Sequence, residues 1–130
     1  MVITLEQAAE LAQALPEVTE GERFGHRTWY VGKKAFAWQR PFSKADIKRF
    51  GDEPPPAGDI LAVVTADLSE KDAVLAQHAG AVFTISHFDG FAAVLIQLSS
   101  VRKPVLRELL QDAWLAAAPK TLAQEHFPAV

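Results

Sequence analysis

Between Arg23 and Arg49 the chain places eight basic side chains: Arg23, Arg27, Lys33, Lys34, Arg40, Lys44, Lys48 and Arg49. One acid, Asp46, lies among them, so the segment carries a local charge of +7. The remainder, with five basic and fifteen acidic residues, carries −10, and the whole chain comes to −3. Cations at this density suit a polyanion: each can neutralise a phosphate and release its counterions, which gives salt-dependent affinity. Such contacts fix position without reading base sequence. His26, beside Arg27 in Phe24-Gly25-His26-Arg27, is counted with them as an anion contact, although a structural corner is the plainer account of that run. Seven of the twelve aromatic residues also fall between Phe24 and Phe50. Left exposed, Trp29, Tyr30 or Trp38 would stack on unpaired bases. The plainer reading, preferred for the rings, is that they fill a core from alternate strand positions.

Other chemistries find less support. There is no cysteine, hence no thiol nucleophile and no disulfide framework. His87 and Asp89 are two residues apart and would share a strand face. A functional zinc centre needs at least three protein ligands, and neither His78 nor His126 has supporting spacing. Asp89-Gly90 reads better as a hairpin turn. Glu6, Glu10, Glu17, Glu20 and Glu22 form an acidic edge that reads as a solvated face rather than a cation site. No GxGxxG or P-loop pattern occurs, and no serine sits in a GxSxG elbow. The expectation is therefore no catalytic residue, no metal, no cofactor and no enzymatic activity.

The 130 residues suit one domain spanning 1–130, and 49% hydrophobic with 22% charged residues is an ordinary globular balance. No run of about 18 apolar residues appears, and the N-terminus lacks a signal-peptide pattern. A cytoplasmic location and no membrane partner are expected.

The elements that must position these residues follow from periodicity. Thr4 to Leu15 reads as a helix, with a Thr4/Gln7 capping box and a stripe of Leu5, Ala8, Ala9 and Ala12, ended by Pro16. Residues 17–22 read as an acidic loop with Gly21 as breaker. Thr28–Val31 and Ala35–Gln39 read as a hairpin turning at Gly32-Lys33, with Trp29, Val31, Phe36 and Trp38 on one face. Ser43 caps a short helix to Phe50, with Asp46 at its box position, and Asp52–Asp59 is a proline-rich surface loop. Ile60–Ala66 is an apolar run and reads as a buried strand. A helix capped by Ser69, with Asp72 at the box position, runs to about Ala79. Strands Val82–Ser86 and Ala92–Leu98 flank a turn at 87–90. A last helix starts near Pro104, with Leu106, Leu109, Leu110, Ala113 and Ala117 as its stripe, and ends at Pro119. The fold class is α+β: an antiparallel sheet packed by helices in two layers, in the order helix, two strands, short helix, strand, helix, two strands, helix.

Taken in order, several segments resemble the MmcQ/YjbR-like family of small bacterial proteins. They are Leu15-Pro16-Glu17-Val18-Thr19-Glu20-Gly21, Phe24-Gly25-His26, the hairpin from Trp29 to Ala37, Leu109 to Trp114, and Ala118-Pro119-Lys120-Thr121-Leu122. The resemblance covers about residues 4 to 122. It implies a fold similar to the CyaY and type III secretion chaperone topologies, and DNA binding through hairpin wings.

The leading expectation is a DNA-binding, non-enzymatic protein whose contacts are Arg23, His26, Arg27, Lys33, Lys34, Arg40, Lys44, Lys48 and Arg49. The alternative is a protein-interaction or chaperone-like module, monomer or homodimer, using Leu115 to Ala118 near the last helix. An enzyme centred on His26 or His87 stands third.

Overall fold

The computed structural model describes residues 2–127; Met1 and residues 128–130, which the single-domain reading includes, lie outside them. Thr4 caps α1 (Leu5–Gln13). Its hydroxyl accepts from the Gln7 backbone N–H, and the Gln7 side chain accepts from the Thr4 N–H. This is the reciprocal pair that the spacing predicts, and Ala8, Ala9 and Ala12 form the buried face.

The next segment corrects the sequence reading. Residues 17–22 are not a loop: Val18–Arg23 is β1, paired antiparallel along its length with β2 (His26–Val31). It lies at the edge of the sheet with every residue after Val18 exposed. No apolar alternation therefore marks it, while its charges discourage another chain from pairing with the open edge. Gly21 sits within the strand because the Tyr30 ring lies across it. A Cβ there would come within 3.2 Å of Tyr30 Cε2.

β2 turns into β3 (Lys34–Gln39) at Gly32-Lys33, with Gly32 at φ 61°, as predicted. The facing of the aromatics differs. Trp29 pairs with Ala37 but Tyr30 pairs with Ala35, so Phe36 is an extra residue in the ladder. This bulge breaks the two-residue alternation. Trp29, Val31 and Phe36 stay in the main core, and Trp38 turns to the opposite side of the sheet.

β4 (Ile60–Val64), β6 (Ala93–Gln97) and the short β5 (Val82–Phe83) complete an antiparallel sheet in the order β1-β2-β3-β4-β6-β5. β4 is apolar throughout because both of its faces are covered. Leu61 and Val63 enter the main core, whereas Ile60 and Ala62 enter a smaller second one. The main core takes its helical side chains from α1, α3 (Leu68–Gln77), α4 (Lys103–Ala117) and α5 (Lys120–His126). The second core packs Ile60, Ala62, Phe88, Ala93 and Leu95 with Trp38, Phe42, Phe83 and Ile85 at its margin. Beside it lies α2 (Lys44–Phe50), whose Phe50 ring meets Phe42 edge-on at 5.3 Å.

Three local assignments shift for identifiable reasons. Asp67, not Ser69, caps α3: its carboxylate accepts from the Glu70 N–H at 2.8 Å, while Glu70 accepts from the Ala66 N–H at 2.7 Å. The segment after Phe83 is not strand, because Phe88 is drawn into the second core and Ser86–Phe88 coils into a 3-10 turn. Beyond Pro119 the chain adds α5, whose Leu122 and Ala123, with Phe127 just after it, pack on the main core. The fold class stands as expected, with β1 and α5 added to its order. Among the described residues no helix is long and apolar enough to cross a membrane.

Candidate nucleic-acid interface

Beside the second core lies an open groove of about 1150 Å³, bordered by the β1–β2 turn, β3, α2, the 87–92 loop and Ala116 and Ala117 at the end of α4. Six of the nine predicted contacts line it: Arg23, His26, Lys33, Lys34, Arg40 and Arg49. They come from the ends of β1, β2 and β3 and from α2, brought together because three short antiparallel strands fold back on one another.

The other three do not join them. Arg27 is held by carboxylates from outside its own segment. Its Nε donates to Glu20 Oε2 at 2.9 Å, its Nη2 to Glu20 Oε1 at 3.0 Å, and its Nη1 pairs with Glu6 of α1. The guanidinium lies 5.4 Å over the ring of Trp29, itself a core residue. Glu20 also accepts from Trp29 Nε1 at 3.0 Å and Gln13 Nε2 at 2.6 Å. The Arg27 hydrogen bonds outweigh desolvation and hold the Glu20 carboxyl below its ordinary range, while Glu20 raises Arg27 above its own. Strand β1 places Glu20 opposite Trp29, a pairing hidden as long as 17–22 reads as a loop. Lys44 and Lys48 are exposed on α2 and do not line the groove.

The lining holds five Lys/Arg side chains and one acid, Asp46. Asp46 is 3% exposed and anchors the whole α2 corner. It completes the capping box with Ser43, accepting the Ser43 N–H at 2.9 Å. It also accepts Arg40 Nη1 at 2.9 Å and has Arg49 Nη1 at 3.9 Å. Burial by itself would push its carboxyl up; the Ser43 N–H and Arg40 overcome this and hold it below the usual range. Its charge is thus spent on orienting two arginines at the groove wall.

The rings were less legible. Trp38, freed from the main core by the bulge, stacks on Phe91 at 6.2 Å and 28°, and lies 6.4 Å from Phe88. Phe88 and Phe91 are 5.4 Å apart, and Arg40 lies 5.7 Å over Phe88. At the β1–β2 turn, Phe24 adopts φ 52° and exposes its ring, with Arg23 5.5 Å above it. His87 lines the groove as well, whereas Asp89 does not. Among the described residues no three of His, Asp and Glu converge to hold a metal ion.

Sequence reasoning also missed Lys71. It is 5% exposed, and its Nζ donates to the carbonyls of Phe88 at 2.7 Å and Phe91 at 2.8 Å. It pins the loop that carries the rings. Its spacing of three from buried Val74 on α3 is the signal that marks it as inward-facing.

A sequence model of the YjbR family matches residues 13–116, a span that contains every strand of the sheet. The chain belongs to the YjbR family. The resemblance read from the ordered segments therefore holds. This YjbR-family chain is 40% identical over 124 residues to an uncharacterised protein of Mycobacterium tuberculosis, with 93% of each covered. It stands at the same identity and coverage to one of Mycobacterium bovis. A Deinococcus radiodurans protein with a DUF419 domain, solved by crystallography, aligns at a TM-score of 0.64 and 18% identity. That alignment covers 95% of this chain and 88% of the other, and the likeness is one of fold.

Proposed function

We propose that this chain is a cytoplasmic, non-enzymatic module that binds nucleic acid, DNA foremost, in the groove between the β1–β2 turn, β3 and α2. The observation that carries this reading is the lining, with five Lys/Arg side chains and a single acid already engaged by two of the arginines. A surface with that excess attracts phosphate, and its affinity comes from counterion release rather than base reading.

In a fluorescence-anisotropy titration against a labelled oligonucleotide, log affinity should fall against log salt with a slope of about −4 for five phosphate contacts. Replacing exposed Lys33 and Lys34 at the hairpin turn by Glu should weaken binding alike for all sequences and reduce the slope by about 2. Absence of binding at low salt, or an affinity indifferent to salt, would overturn the reading.

The alternative, a module that docks a protein partner or dimerises through the end of α4, has lost part of its surface. Ala117 is buried and Ala118 is half-buried, leaving Leu115 and Ala116 exposed. A partner protein retained at high salt, with no oligonucleotide bound, would favour it.

A further inference from the structure

We infer that the groove is built for an unpaired strand and stacks a base on Phe91 beside Trp38, in preference to receiving a duplex. This rests on the nucleic-acid reading above and adds to it the form of the nucleic acid.

Phe91 is 46% exposed, yet its backbone is not loose. Its carbonyl accepts both from Lys71 Nζ at 2.8 Å and from the Ala93 N–H at 2.8 Å. One residue type is thus spent on holding an apolar ring in water, and a buried ammonium on fixing the loop beneath it. Trp38 lies nearly parallel against this ring, and the buried Phe88 supports both. The result is a rigid aromatic platform inside a cationic groove.

A duplex cannot use such a platform. Its base faces are stacked on one another, and only base edges and phosphates are presented outward. An unpaired strand offers both a phosphate chain and free base faces, which stack on aromatic side chains without regard to sequence. The cations flank the rings accordingly. Lys34 starts β3 and Arg40 directly follows its end, a separation of about 20 Å at the rise of a strand, with Trp38 between them on the same lining. A phosphate chain running that length has cations at both ends and the platform on its path.

The test compares a labelled twelve-nucleotide oligothymidylate with a twelve-base-pair duplex at low salt. The unpaired strand should bind about tenfold more tightly or better. Phe91→Ala should weaken its binding by roughly tenfold to a hundredfold and leave duplex binding within about twofold. Phe91→Leu, which keeps an apolar side chain against Trp38 and Phe88, should erase the preference in the same way, and it serves if the alanine variant does not fold. Tryptophan emission gives an independent readout. Trp29 and Trp114 are fully buried, so quenching by the oligothymidylate should come from Trp38 and vanish in Trp38→Phe. Equal or tighter duplex binding, or an unchanged preference in the Phe91 variants, would overturn the inference while leaving salt-dependent nucleic-acid binding intact. No salt-dependent binding to either probe would remove both.

Discussion

Replacing Asp46 by alanine is expected to cost about 3 kcal/mol of stability, lowering the melting temperature by about 10 °C. Three losses coincide at this one carboxylate. The Ser43 N–H at the start of α2 loses its acceptor, Arg40 loses its ion pair, and Arg49 loses a neighbour at 3.9 Å. The cost stays at the lower end for a broken buried pair because Arg40 retains 17% side-chain exposure and can turn to water. Asp46→Asn separates the charge from the cap, since its amide oxygen can still accept from Ser43. The sign with pH follows from the lowered folded-state carboxyl. Stabilisation by the ionised group is complete above the ordinary carboxylate range and is lost as pH falls through the folded value. Urea unfolding from pH 7 to pH 3 should therefore show wild type ahead of Asp46→Asn at neutral pH, with the gap closing below about pH 4. Carboxyls common to both proteins, Glu20 included, cancel in that comparison. At neutral pH and low salt the same variant should bind oligonucleotide about twofold to fivefold more tightly, because the groove has lost its one anion. Unchanged binding would count against this groove as the proposed nucleic-acid surface, whereas weaker binding would show that Asp46 acts through the orientation it gives Arg40 and Arg49.

Replacing Lys71 by methionine is expected to cost about 2 kcal/mol and to loosen the 87–92 loop selectively. The ammonium gives the Phe88 and Phe91 carbonyls their second hydrogen bonds. Each carbonyl keeps one backbone donor, from Phe91 and Ala93 respectively, so the loop should stay folded but open more often. Amide exchange at Phe91 and Ala93 should rise by about tenfold or more, while amides of β4 rise only with global stability. A variant that lost stability uniformly, with no excess exchange in the loop, would show that Lys71 supports the core and not the aromatic platform.

Much of the local structure was legible because its determinants are local. The Thr4/Gln7 and Ser43/Asp46 boxes, the Gly32-Lys33 turn and the doubly covered β4 each depend on residues within a few positions of one another. What failed to show in the pattern depended on distant partners. β1 has no apolar alternation because it is an edge strand, and only its pairing with β2 makes it one. Trp38 belongs by parity with Phe36, and a single extra residue in the ladder separates them. Lys71 looks like a surface lysine until the carbonyls of a loop 17 and 20 residues away are placed over it.

The same division runs through the site. The amino-acid sequence by itself determined that the cations are concentrated between Arg23 and Arg49, that the chain is α+β, and that its ordered segments are those of the YjbR family. Tertiary structure decided which of those charges remain available. Glu6 and Glu20, from outside the basic segment's own run, take Arg27 away, and Asp46 turns Arg40 and Arg49 to the groove wall. The physical reason is that charge density along a chain counts residues, whereas electrostatic attraction depends on distance in space. Folding brings acids from far along the chain within hydrogen-bonding reach of one cation and leaves its neighbours open.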